Sequence, residues 1–72
     1  MTKPVVVASL NDTTGQRCVD IRRLPNGAFD WLECRRDPED PHGWRVLSEH
    51  GPFPSEADAR SAAQTSVGWL ET

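Results

Sequence analysis

Arg17-Cys18-Val19-Asp20-Ile21-Arg22-Arg23-Leu24-Pro25-Asn26-Gly27-Ala28-Phe29-Asp30-Trp31-Leu32-Glu33-Cys34-Arg35 decides the fold. Two β-prone runs flank Pro25-Asn26-Gly27, which suits a three-residue hairpin loop. Proline presets φ at the first loop position, asparagine tolerates the second, and glycine takes the left-handed bulge position. Leu24 then faces Ala28. Counting outward, Arg22 faces Asp30, Asp20 faces Leu32 and Cys18 faces Cys34, while Arg23 faces Phe29, Ile21 faces Trp31 and Val19 faces Glu33. The opposite charges of Arg22 and Asp30 favour this pairing by roughly 0.2–1 kcal/mol. A slip of one residue would break every match.

The register sorts the two sheet faces. Val19, Ile21, Phe29 and Trp31 make one face the more apolar, and Trp44 and Val46 of the last strand are expected to join them. Cys18, Asp20, Arg22, Leu24, Asp30, Leu32 and Cys34 share the opposite, mixed face.

Outside the hairpin, turn signals at residues 11–15, 37–43 and 50–54 bound two further strands. The expected strands are 4–10, 17–24, 28–35 and 44–49. Pro54 then stops the sheet. Ser55-Glu56-Ala57-Asp58 is a capping box in its Asp form, with acids at the positive end of the helix dipole. Ala59, Ala62, Ala63, Ser66, Val67 and Leu70 recur at helical spacing, predicting one helix over 55–70. Gly68 weakens its last turn by up to about 1 kcal/mol. The fold class is α+β: an antiparallel sheet of three to four strands with one C-terminal helix packed on one face, β-β-β-β-α, as one domain over 1–72. A helix of 16 residues, about 24 Å long, covers one sheet face and leaves the other solvated, self-paired or available to a partner. A homodimer through that face or through the edge strand 4–10 would add to the thin stability margin of so small a domain.

Composition restricts the function. The chain has 72 residues, 36% hydrophobic and 26% charged, with net charge −3. A sequence pI of about 5.2 argues against a general nucleic-acid or anionic-membrane binder. No apolar run approaches the roughly 20 residues that span a bilayer. The apolar stretch at 4–10 reads as a strand rather than a signal peptide, so a cytoplasmic location with reduced cysteines is expected.

Catalytic and cofactor signatures are missing: there is no nucleophile elbow and no phosphate loop. A pocket of about 300 Å³ or more, the usual size for a substrate, is expected only between subunits. The expectation is therefore no enzyme and no cofactor. Cys18 and Cys34, opposed on neighbouring strands, form a candidate redox pair or simply two small buried hydrophobes. No metal set is expected around them, since there is no CxxC motif and His42 and His50 both fall in loops. The acidic loop Asp37, Glu39, Asp40 with His42 lacks the spacing and glycine of a calcium loop.

Seven of the eight basic residues are arginine. Arg17, Arg23 and Arg35 share a face with Phe29 and Trp31, a combination used to stack single-stranded nucleic acid. Residues 17–45 nevertheless carry six acids against six arginines, which leaves no positive field for phosphate. Arginine and tryptophan are also enriched in protein interfaces. The leading expectation is thus a small non-enzymatic protein-interaction module. Its partner-binding candidates are Trp69, beside the apolar helix face, with Leu24, Leu32 and Arg22 on the open sheet face. The alternatives are a single-stranded nucleic-acid binder and a thiol redox sensor.

Two partial resemblances accompany this reading. Trp44-Arg45-Val46 followed by Gly51-Pro52-Phe53, Ser55, Ala59 and Ala63 resembles the second half of SPOR domains, over about residues 44–70. That resemblance implies binding of peptidoglycan stripped of its stem peptides. Hairpin, third strand and Ala-rich terminal helix, over about residues 29–70, resemble the HicB-type antitoxin fold, a partial double-stranded-RNA-binding fold. That resemblance implies a surface that binds a toxin protein. Neither transfers site residues.

Overall fold

The Leu24 N–H donates to the Ala28 carbonyl at 2.8 Å, and the Gly27 N–H to the Leu24 carbonyl at 3.0 Å. Gly27 has φ +88°, a conformation that a residue without Cβ takes at little cost. The loop closes as predicted, and all seven further pairs, from Arg23–Phe29 to Arg17–Arg35, follow in register.

The structure is a computed structural model and describes residues 3–41 and 43–70; His42 lies outside the described residues. Strands β1 (Val5–Asn11), β2 (Arg17–Arg23), β3 (Phe29–Arg36) and β4 (Trp44–Phe53) are followed by helix α1 (Glu56–Ser66) and a single 3-10 turn at Gly68–Leu70. The strands form one antiparallel sheet in the order β1-β2-β3-β4. The fold is therefore α+β with one C-terminal helix. Asp12 organises the β1–β2 turn. Its carboxylate accepts from the Thr14 hydroxyl at 2.9 Å and from the N–H groups of Gln16 at 3.1 Å and Arg17 at 3.3 Å.

Helix α1 starts where its sequence dictates. The Ser55 hydroxyl accepts from the Asp58 N–H at 3.1 Å, satisfying one otherwise unpaired donor. Ala59 and Ala63 are fully buried against Val19, Ile21 and Trp31. Alanines at the contact let the helix axis approach the sheet closely. The core thus lies between α1 and one face of the sheet, with Ala8, Leu10, Phe29 and Phe53 at its margin.

The structure corrects three expectations. The helix ends at Ser66 rather than at 70. Val67 turns extended (φ −111°, ψ 102°) while its N–H still reaches the Ala63 carbonyl at 2.8 Å. β-branched Val67 followed by glycine favours a stop there. The break lets Val67 and Leu70 both enter the core and leaves Ser66 exposed.

Strand β4 runs through Gly51-Pro52 to Phe53, where a turn was expected, and so holds His50 within a strand. β4 is an edge strand, where a proline without N–H is tolerated. His50 stacks on buried Trp31 with centroids 4.1 Å apart and planes 18° from parallel.

Finally, Trp44 and Val46 do not join the helix side. Val46 pairs with Cys34, yet Ser48 pairs with Glu33, so Leu47 is an extra residue in β4. A bulge of one residue reverses the facing of everything beyond it. Trp44 and Val46 therefore lie on the open face with Cys34.

Candidate functional site

No element packs on the second sheet face among the described residues. Cys18, Leu32 and Cys34 form a small apolar floor there, and Trp44 leans against it. With Ser9, Asn11, Asp20, Asp40, Arg45 and Val46 around the floor, these residues line a groove of about 650 Å³. The groove is half open to solvent rather than an enclosed cavity. Leu32 and the cysteines are buried although no helix covers them, and Trp44 packs against them. Val46, by contrast, stays 50% exposed on the rim.

The cysteines are free thiols, directly opposed in the β2–β3 ladder. The Arg36 N–H donates to the Gln16 carbonyl at 2.7 Å, as Leu24 does to Ala28 at the other end. Hydrogen-bonded pairs alternate along an antiparallel ladder, so Cys18–Cys34 is one of them. That places their Cα atoms about 5.5 Å apart rather than about 4.5 Å. Asp20 follows Cys18 by two residues on the same face. The Cys18 thiol points at Asp20 Oδ1 at 3.9 Å, and the Ser9 hydroxyl donates to the same oxygen at 2.7 Å. Burial, then the nearby Asp20 and Cys34, push the Cys18 thiol up to about 12. Burial and Asp20 also raise Cys34. Both groups are thus thiols rather than thiolates near neutrality, which slows the nucleophilic chemistry of a redox sensor.

Beyond the groove, the open face carries a charge pair. Arg22 grips Asp30 through Nε–Oδ1 at 2.9 Å and Nη2–Oδ2 at 2.6 Å, with Glu49 3.5 Å from Nη2. Asp30 is the one buried charged residue among the described residues. The hydrogen bond to Asp30 outweighs desolvation and raises the Arg22 pKa further.

The partner candidates fall in separate places. Leu32 is in the groove floor. Arg22 is committed to Asp30. Leu24, half-buried, lines a small cleft at the hairpin end with Asp30, Glu49 and His50. Trp69 packs at the margin of the helix-side core, near Leu10 and Leu70. Other arginines are engaged: Arg36 lies over the Trp44 ring at 4.7 Å, and Arg45 Nε is 3.2 Å from Asp37.

Sequence reasoning missed Trp44 and Val46 as groove residues because nothing marked Leu47 as a bulge. It also passed over Asp20 as a companion of the cysteines, having sought CxxC or histidine. The signal was present: Cys18-x-Asp20 opposite Cys34 places three donor groups on one sheet face.

Among the described residues no helix is long and apolar enough to cross a membrane. No family model matches the chain, and no curated protein or solved structure matches it either.

Proposed function

We propose that this chain is a small non-enzymatic protein-interaction module whose open sheet face receives a short extended segment of a partner protein. The observation that supports this reading is the one-sided sheet. Its helix-free face combines an apolar floor, an aromatic wall at Trp44 and a polar rim of Ser9, Asn11, Asp40 and Arg45 around about 650 Å³. An apolar centre inside a polar margin is the anatomy of interfaces in general, with aromatic and arginine side chains supplying anchors.

Val46 gives the cleanest test. It is half exposed on the rim, so Val46→Asp should leave the fold intact. Panning a displayed peptide library against the full chain should select binders that Val46→Asp no longer holds, with unchanged urea unfolding. Failure to select, or binders indifferent to Val46→Asp, overturns the reading. A solution mass twice the 8.0 kDa of one chain, returning to monomer in Val46→Asp, would replace the foreign segment by a second copy.

A further inference from the structure

We propose that Cys18, Asp20 and Cys34 form a binding site for a zinc-class divalent cation at the floor of the open-face groove. One ligand atom from each of the three lies within 4.8 Å of the others. Around a tetrahedral zinc, sulfur–sulfur separations of about 3.8 Å and sulfur–oxygen separations of about 3.6 Å follow from the usual bond lengths. The Cys18 Sγ to Asp20 Oδ1 distance of 3.9 Å is already close to that value. Small side-chain rotations on a rigid ladder would bring the rest into place.

The surroundings favour such a site. The hydrogen-bonded register at Cys18–Cys34 spaces the two strands at their wider setting, leaving room for an ion between the sulfurs. Ser9 donates to Asp20 Oδ1 at 2.7 Å and so orients the carboxylate from the neighbouring strand, as supporting hydrogen bonds do at metal centres. All three donors line the groove, so a fourth coordination position faces solvent or an incoming donor atom. Two sulfurs with one carboxylate select zinc, or cobalt and cadmium as its probes, over calcium and magnesium, which require oxygen cages. On binding, each thiol gives its proton to the buffer as its sulfur–metal bond forms. The inference goes beyond the docking reading and does not depend on it, because it is read in the isolated chain.

The experiment is titration of the reduced, metal-stripped full chain with Co²⁺, followed by displacement with Zn²⁺. The expected result is one Co²⁺ per chain, with a thiolate-to-cobalt charge-transfer band and the visible bands of tetrahedral cobalt. Asp20→Asn, nearly isosteric, should weaken binding by at least about 10-fold while keeping the charge-transfer band. Cys34→Ser should lose about half of that band's intensity. Absence of a charge-transfer band in the wild-type chain overturns the site. Binding unchanged in Cys34→Ser also overturns it, placing the ion elsewhere. Undiminished affinity in Asp20→Asn overturns the assignment of Asp20.

Discussion

A Cβ placed on Gly51 would stand 2.7 Å from the Cβ of Asp30 and 3.1 Å from its Cα. Gly51 also has φ +144°, which a side chain would strain. Asp30 Cβ is fixed directly by its backbone, and its Cα and the Phe29 carbonyl oxygen at 3.2 Å are backbone atoms, so none of them yields cheaply. Gly51→Ala is expected to destabilise the fold by about 1–3 kcal/mol. A urea midpoint equal to that of the wild type would contradict the close approach.

The same contact couples Gly51 to the Arg22–Asp30 clamp. Asp30→Ala leaves Arg22 without its bidentate partner and should cost about 1.5–3 kcal/mol. Arg22→Lys keeps the charge but loses the planar fork that matches the carboxylate, so it should fall between wild type and Asp30→Ala. A methyl at Gly51 displaces Asp30 and disturbs this clamp already. The double variant Gly51→Ala with Asp30→Ala should therefore be less destabilised than the sum of the two. Strict additivity in chemical denaturation would separate the two features.

Alkaline pH should unfold the reduced, metal-free chain through its thiols. The folded state holds Cys18 protonated up to about 12, against 9.0 for the ordinary group. Cys34 is raised in the same direction. Below 9 both folded and unfolded chains carry the neutral thiol, and the contribution is fully present. As pH rises from about 9 toward 12 the unfolded chain ionises first, so stability falls across that window. The sequence has no tyrosine. Cys18→Ser should flatten the fall of the urea midpoint between pH 9 and 11. An equally steep fall in Cys18→Ser would assign the alkaline sensitivity to another group.

The hairpin was legible because its turn chemistry and its charge pairing agree. Pro25-Asn26-Gly27 sets the loop, and Arg22 opposite Asp30 supports the same register. The helix start at Ser55 was equally local: hydroxyl, acid and preceding proline act within a single turn. What escaped the sequence is nonlocal. Gly51-Pro52 reads as a turn until the approach of Asp30 and the edge position of β4 are known. Val67 belongs to a helical stripe until packing rewards an extended residue that brings both Val67 and Leu70 inward. The candidate cation site combines the hairpin register, which was legible, with the Asp20 carboxylate, which no CxxC or histidine pattern marks.

Leu47 carries the largest consequence of this kind. It is 46% exposed and makes no appearance in either apolar cluster, yet its presence in the chain sends Trp44 and Val46 to the open face. Its side chain matters little, so Leu47→Thr should stay within about 0.5 kcal/mol of wild type. Its backbone matters more. Deleting Leu47 removes the bulge and forces the start of β4 either to turn Trp44 and Val46 toward the helix side or to leave the ladder. In both cases Cys34 loses the Trp44 wall that helps bury it. Thiol labelling of the deletion variant should be faster than that of the wild type, while Leu47→Thr labels at the wild-type rate. Equal labelling of deletion and wild type would mean that the groove is closed by something other than the bulge-directed facing of Trp44.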